Sequence, residues 1–317
     1  MEIGVFGAGA VGLGLASALL ESGCELQIVA RGGTAAALRR VGLQRTGIFG
    51  DRLHGPGSFR VVEEARDLDD RPEAILVATK SFDSLAAAES LSKAPAAENA
   101  KIVLCQNGWG NELPFADRFP AERIWNARVI TGFRKRTPHH VEITVHAEAL
   151  RIGSLFGEPG ELVAPLCRRL DLGGLPCEPT DTIARDLWAK LLYNGLLNPL
   201  GALLGVSYGE LGANAGVRET MRALAGEIFA VMEAAGYETH WPDAGSYLED
   251  FYERLLPPTA RHESSTLQDL RAGKRTEIDA LTGAVVRLGE EHGVPVPVNR
   301  TLLAQVRFIE AQRRREG

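Results

Sequence analysis

The chain has 317 residues, 45% hydrophobic and 24% charged, with 35 Lys and Arg against 41 Asp and Glu for a formal net charge of −6. Usage this ordinary excludes intrinsic disorder and a collagen-like fibre, and at about 100 to 200 residues per domain the length predicts two domains. The mild acidity offers no general attraction to a phosphate backbone, so nucleic acid is not an expected partner, and Arg313, Arg314 and Arg315 read as a solvated helix end.

Apolar runs bounded by turn residues recur along the first half, at 3–6, 26–30, 74–78 and 102–105, with helix-length segments between several of them. That alternation predicts an α/β domain built on a Rossmann-type, doubly wound parallel sheet. The alternating stretches 141–146 and 149–153 suit antiparallel strands appended to the edge of that sheet, closing the first domain. Around Leu175, Pro176, Cys177, Glu178, Pro179 and Thr180 the pattern changes, and everything beyond reads at helical period. The boundary is placed near residue 179, giving a dinucleotide-binding domain over 1–179 and an all-helical domain over 180–317. Helices are predicted at 181–198, 215–236, 243–256, 264–272, 276–292 and 299–315.

Residues Gly7, Ala8, Gly9, Ala10, Val11 and Gly12 read GAGAVG directly after the first strand and open a helix-like run, the spacing of the dinucleotide fingerprint. In that motif Gly7 permits the tight turn, Gly9 admits the pyrophosphate close to the backbone, and Gly12 packs helix on strand. The phosphates then meet unpaired N–H groups at the positive helix terminus. At the end of the second strand, where an NAD site carries an acid for the ribose hydroxyls, the sequence has Val29, Ala30 and Arg31. A guanidinium there suits the 2′-phosphate of NADP(H); the plain alternative is an ordinary exposed arginine. Thr79-Lys80-Ser81 and Gln106-Asn107-Gly108 follow predicted strands, where open parallel sheets place ligands. Lys80 would reach cofactor phosphate or ribose, and Asn107 the nicotinamide ribose or the substrate, although either residue taken alone is more often a turn residue.

In the run WAKLLYNGLLNPL, Lys190, Asn194 and Asn198 recur at i, i+4 and i+8, on one helical face. Asparagine is a poor helix former, and two of them with a lysine on one stripe among leucines make little sense for stability alone, which favours a ligand-facing stripe over a solvated polar face; spacing alone leaves both open. In SSTLQDLRAGKRTEID, Ser265 and Glu277 lie twelve residues apart across an expected turn at Ala272-Gly273, so that a hydroxyl and a carboxylate would face one cleft. Equally, Ser264 would serve as a helix N-cap and Glu277 as a capping carboxylate beside Thr276.

Cys24, Cys105, Cys167 and Cys177 form no CxxC pair and the seven histidines no HxxxH pattern, so no disulfide framework and no metal site are expected, and a reducing cytoplasm fits best. Residues 1–6 enter a strand-like segment without a basic leader, and no stretch reaches the roughly 18 apolar residues of a membrane helix. A homodimer is compatible with the sequence, which does not set the oligomeric state.

Taken together and in this order, GAGAVG at 7–12, Lys80 after a strand, QNG at 106–108, WAKLLYNGLLNPLGAL at 188–203, SSTLQDLRAGKRTEID at 264–279 and HGVPVP at 292–297 resemble the ketopantoate reductase (2-dehydropantoate 2-reductase) family. The resemblance spans most of the chain, and its last three motifs are far more specific than the glycine loop. It implies NADPH-dependent reduction of the ketone of 2-dehydropantoate, a step toward pantothenate, with a dinucleotide-binding domain, a helical domain and the site between them. It further implies Lys190 as the catalytic lysine and Glu277 as its acidic support. Asn194, Asn198 and Ser265 would be polar groups facing substrate, Arg31 and Lys80 contacts to NADP, and Asn107 the residue between cofactor and substrate. Two departures bear on the substrate: the charged segment ITGFRKRTPHHVEITVHAEALRIG, and His262 where the best-known members have an asparagine.

Hydride delivery to a carbonyl carbon leaves negative charge on oxygen, which calls for a proton donor, here Lys190. Two other readings keep the fold. One changes the substrate to another branched or aromatic 2-oxo acid. The other is a non-catalytic NADP(H)-binding sensor, which would have no reason to keep Lys190 and Glu277 together.

Overall fold

A computed structural model describes residues 1–69 and 72–316, without the side chains of Arg315 and Glu316. The chain divides into two compact units, Met1–Gln106 with Asn111–Ile183, and Asn107–Gly110 with Ala184–Gly317. This division departs from a single cut at 179 in two ways. The chain as far as Ile183 stays with the first unit, and the short turn 107–110 packs with the second.

The first unit is α/β. Among the described residues its main sheet has eight strands in the order β12-β11-β8-β7-β6-β1-β2-β5. These are β1 (Glu2–Phe6), β2 (Glu25–Val29), β5 (Arg60–Val62), β6 (Ala74–Val77), β7 (Lys101–Leu104), β8 (Ile124–Arg128), β11 (Leu150–Gly153) and β12 (Cys177–Pro179). All neighbouring pairs are parallel except β11 against β8. Every residue of β6 is buried because the strand is covered on both faces, which is why it reads as an unbroken apolar run. The two faces are distinct cores: Ile3, Val5, Ala74 and Leu76 pack into one cluster, and Phe6, Ile75 and Val77 into another. Among the described residues this unit has five α-helices: α1 (Ala10–Glu21), α2 (Gly32–Val41), α3 (Ser84–Leu91), α4 (Leu113–Ala116) and α5 (Ala164–Leu172).

One expectation for this unit is corrected. Of the two stretches expected at the sheet edge, only 150–153 joins the main sheet. The other, β10 (His140–His146), lies in a separate four-stranded sheet of order β4-β3-β10-β9, with β3 (Leu43–Gly47), β4 (Arg52–His54) and β9 (Thr131–Thr137). It pairs parallel to β3 and antiparallel to β9. Alternation sets which face of a strand is buried but does not choose its partners, and one partner here, β3, is distant in sequence. This second sheet leans on α1: a Cβ at Gly14 would sit 2.2 Å from the ring of Phe133, so glycine is what lets β9 approach the helix. Residues 177–179, beside the expected boundary, form the edge strand, where a proline sacrifices no ladder bond.

The second unit is helical: α6 (Ile183–Leu204), α7 (Tyr208–Ala213), α8 (Ala215–Ala234), α9 (Ala244–Asp250), α10 (Ser265–Arg271), α11 (Thr282–His292) and α12 (Pro297–Glu316). The first of these was expected to stop before Pro199, yet it continues to Leu204 with the proline inside. A proline removes one helical hydrogen bond, at a cost of about 3 kcal/mol, and burial of Leu196, Leu197, Leu200 and Ala202 around it opposes that cost. Asn198 therefore sits within a rigid helix rather than at its end. The helix expected from 276 begins at Thr282 instead, and Glu277 occupies the turn before it, whose carbonyl accepts from Ala280 N and Leu281 N.

Candidate active site

The glycine loop connects β1 to α1 under tight steric limits. Gly7 has φ +109°, and a Cβ there would lie 2.9 Å from Thr79 N. A Cβ on Gly12 would lie 1.9 Å from the Gly7 carbonyl oxygen, so α1 starts directly against the strand end. Gly9 is different: it is exposed, it occupies the N-cap of α1 without a side-chain cap, and a Cβ there would meet only Ala78 O at 3.7 Å. Nothing in the protein crowds the position, so the fold itself does not require glycine here, and the uncapped helix terminus is of the kind that binds anions. Ala8, Ala10 and Val11 complete the loop, each partly exposed.

Beside this loop lies a cavity of about 290 Å³ lined by Gly7, Ala8, Arg31, Thr34, Thr79 and Asp83, among others. Arg31 is exposed, stands at the N-cap of α2, and donates from Nε to Glu63 O at 3.5 Å. Lys135 also reaches this region from β9, donating from Nζ to Ala8 O at 2.9 Å and to Thr34 Oγ1 at 2.8 Å. Sequence reasoning noted the charge of this segment but not this residue, because an exposed lysine on a strand carries no local signal of what it faces.

Lys80 follows β6 and precedes the short helical turn Ser81–Asp83. Its carbonyl accepts from Gln106 Nε2 at 3.3 Å, and the same nitrogen donates to Thr79 Oγ1 at 3.0 Å and Ser84 Oγ at 2.9 Å. Gln106, 6% exposed, thus ties the end of β7 to the loop bearing Lys80, a positioning role its place in QNG did not announce.

Three of the predicted site residues come together within the helical unit. Lys190 Nζ donates to Asn107 Oδ1 at 2.7 Å, and Asn107 Nδ2 donates to Glu277 Oε2 at 3.3 Å. The surroundings explain why a residue from the QNG turn meets these two. Gly108 has φ +94°, and a Cβ there would fall 2.2 Å from Ala280 O, while Trp109 N donates to that carbonyl at 2.9 Å. The Trp109 ring packs 4.9 Å from Trp188 of α6 and 4.8 Å from Tyr237. Turn 107–110 is thereby pinned both to α6, two residues before Lys190, and to the turn bearing Glu277. Thr276, next to it, is fixed in turn by Glu310 Oε2, which accepts from its N at 2.8 Å and its Oγ1 at 2.7 Å. Glu277 is 7% exposed, and a carboxylate so buried needs the donor that Asn107 supplies.

The remaining predicted residues are placed differently. Asn194, partly buried, shares the stripe of Lys190 one turn on, flanked by the buried Leu191 and Leu197 and opposite the buried Leu192 and Leu196. Asn198 is 3% exposed and its Oδ1 accepts from Tyr208 Oη at 3.2 Å. Burial holds the Tyr208 hydroxyl well above the ordinary phenol range, so it remains a donor. Ser265 is exposed as the first residue of α10, whereas the fully buried Ser264 caps that helix, accepting from Leu267 N at 3.1 Å. The His262 ring lies edge-on to Tyr208 at 5.3 Å, and its carbonyl accepts from Tyr208 N at 3.0 Å. Among the described residues no cluster of His, Cys, Asp or Glu is arranged to hold a metal ion, and no helix is long and apolar enough to cross a membrane.

A parallel sheet with a glycine-loop cradle, and a helical unit holding a hydrogen-bonded Lys–Asn–Glu chain, are the parts of a dehydrogenase or reductase. Comparison with known proteins narrows this. Two family models match, one described as ketopantoate reductase PanE/ApbA over residues 3–156 and the other as its C-terminal part over 182–310. A 2-dehydropantoate 2-reductase of Aquifex aeolicus is 34% identical over 98% of this chain and 97% of its own. A PanE/ApbA family ketopantoate reductase of Ralstonia eutropha superposes with a TM-score of 0.86 at 31% identity, covering 99% of both chains. D-mandelate dehydrogenase, in a ternary structure with NADH and anilino(oxo)acetate, also superposes at 0.86 over 99% of both chains; at 22% identity this is a likeness of fold alone. The chain belongs to the ketopantoate reductase family and is an oxidoreductase.

Proposed function

We propose that this protein reduces the ketone of a 2-oxo acid with NADPH, with 2-dehydropantoate as the first candidate and pantoate as the product. The observation that carries the proposal is the Lys190–Asn107–Glu277 chain of hydrogen bonds. A non-catalytic sensor would have no use for it.

The dinucleotide fits the residues present: Gly7, Gly9 and Gly12 shape the cradle for its pyrophosphate, Arg31 faces the cavity where a 2′-phosphate would lie, and no acid stands where NAD enzymes hold the ribose. When bound, the reduced nicotinamide supplies a hydride to the carbonyl carbon. Lys190 gives a proton from Nζ to the carbonyl oxygen as negative charge develops there, and the neutral amine regains a proton from water. An ammonium has three donors, so one anchors on Asn107 while another faces the substrate oxygen. Asn107 orients the lysine, and Glu277, held by Asn107 and by the turn it starts, fixes the amide the right way round. Asn194 and Ser265 supply hydrogen-bonding groups for the polar part of the substrate, and Lys80 a further contact to the cofactor.

A second reading, reduction of an aromatic 2-oxo acid, is favoured by one observation. Tyr193 and Tyr208, with ring centroids 6.0 Å apart, together with His262, form an aromatic layer beside Asn198. Substrate comparison decides between the two. A site built to bond a substrate hydroxyl rejects an analogue lacking it by up to roughly 10⁴ in kcat/KM. The first reading expects 2-dehydropantoate to exceed 2-oxoisovalerate, which lacks the hydroxymethyl group, by at least about 10². A preference for 2-oxoisovalerate or for an aromatic 2-oxo acid overturns it.

A further inference from the structure

We propose that Lys135, reaching from the second sheet across the glycine loop to Thr34, is a second cation for the 2′-phosphate of the cofactor, sharing with Arg31 the discrimination of NADPH from NADH. The inference rests on the NADPH reading above and deepens it by naming a residue from outside the dinucleotide-binding strands.

Lys135 is placed by construction of the fold rather than by chance of a surface side chain. Residues two apart on a strand share a face, so Phe133 and Lys135 both turn toward α1 and its leading loop, while Arg134 and Arg136 alternate away. Phe133 seats β9 against the helix at Gly14, where only a hydrogen leaves room for its ring. With the strand fixed there, Lys135 lands on the start of α1, its Nζ 2.9 Å from Ala8 O and 2.8 Å from Thr34 Oγ1. Ala8 and Thr34 both line the cavity that Arg31 borders, so the ammonium stands at the rim of that space.

Chemistry at the rim favours an anion. Thr34, which lines the cavity, lies in the first turn of α2, which has neither a side-chain cap nor an acidic residue there, so no carboxylate of that turn opposes an anion beside the two cations. Asp83 is the single carboxylate among the residues lining the cavity. A phosphate monoester carries a charge of about −1.5 to −2 near neutral pH and three strong acceptor oxygens. Arg31 offers it a planar fork and Lys135 a point charge, and these complement each other on one phosphate. A 2′-hydroxyl, uncharged, gains little from either.

The test is a binding titration of the full-length protein with NADPH, NADH, adenosine 2′,5′-bisphosphate and AMP, comparing wild type, Lys135→Met and Lys135→Arg. The expected result is a roughly tenfold weaker NADPH and adenosine 2′,5′-bisphosphate affinity in Lys135→Met, as for loss of one charged hydrogen bond. NADH and AMP should change less than about twofold, and Lys135→Arg should recover most of the loss. Equal weakening for the phosphorylated and unphosphorylated ligands would make Lys135 a brace for the glycine loop and overturn the proposal. An unchanged NADPH preference in Lys135→Met overturns it too, while leaving the cofactor reading intact. If wild type itself fails to distinguish NADPH from NADH, the NADPH reading fails and this inference with it.

Discussion

Replacement of Lys190 by methionine separates proton delivery from every other role this residue has. Methionine keeps the unbranched stem and a similar helix propensity, so α6 is retained, while the ammonium and its 2.7 Å bond to Asn107 are lost. The side chain is partly exposed, so the cost to folding is that of one charged hydrogen bond, about 1.5–3 kcal/mol at most. The cost to catalysis is larger. Positioned general acids contribute on the order of 10² to 10⁴ in rate, about 3 to 5 kcal/mol of transition-state stabilisation. Because Lys190 is not among the residues lining the glycine-loop cavity, NADPH affinity should change by less than about threefold. Steady-state NADPH oxidation with the best 2-oxo acid, alongside a binding titration and a thermal melt, reads all three quantities. A kcat within about threefold of wild type would return Lys190 to a solvated-face residue and refute the mechanism. A fall in kcat matched by an equal loss of NADPH binding would assign it to the cofactor instead.

Asn107→Leu removes both bonds of the relay, 2.7 Å to Lys190 and 3.3 Å to Glu277, and should lower kcat by about 10- to 100-fold with Lys190 still present; an unchanged kcat would show that the lysine needs no orienting. Arg31→Asp places an acid where a ribose hydroxyl would be accepted and a 2′-phosphate repelled, so the ratio of kcat/KM for NADPH over NADH should invert, and an unmoved ratio would make Arg31 a bystander. Burial pushes His54 below its ordinary value of 6.5, with Arg45 adding to the effect and Glu21 opposing it. Just below that value the unfolded chain binds a proton that the folded chain refuses, so stability rises with pH across this window and is lost as pH falls from 6.5 toward the lowered native value. Melting temperatures measured between about pH 7 and 5 should fall on acidification, less steeply in His54→Gln; parallel curves for the two proteins would remove the histidine from the account.

The glycine loop and the central strands were legible because their signals are local: an apolar run bounded by turns, then glycines at positions where a Cβ would strike Thr79 or Gly7. The helical stripe of Lys190, Asn194 and Asn198 was legible for the same reason, since period alone puts them on one face. What sequence could not give was pairing. Strand β10 alternates as an edge strand should, yet it pairs with β3, about a hundred residues earlier. Pro199 reads as a stop signal, and the packing of Leu196, Leu197 and Leu200 overrides it. Glu277 reads as the start of a helix but lies on a turn that Gly108 and Trp109 hold in place from far away. Residues 83 positions apart, Lys190 and Asn107, meet only because of that packing. Lys135 was invisible altogether, because its partners, Ala8 and Thr34, lie on another strand's loop and another helix.

The most direct test of the central claim is product formation. The wild-type protein is incubated with NADPH and 2-dehydropantoate, and pantoate is quantified against NADPH consumed. The account predicts one 2-hydroxy acid formed per NADPH oxidised, with turnover collapsing in Lys190→Met while NADPH still binds. Binding of NADPH without oxidation by 2-dehydropantoate or any other 2-oxo acid, in wild type, would contradict it.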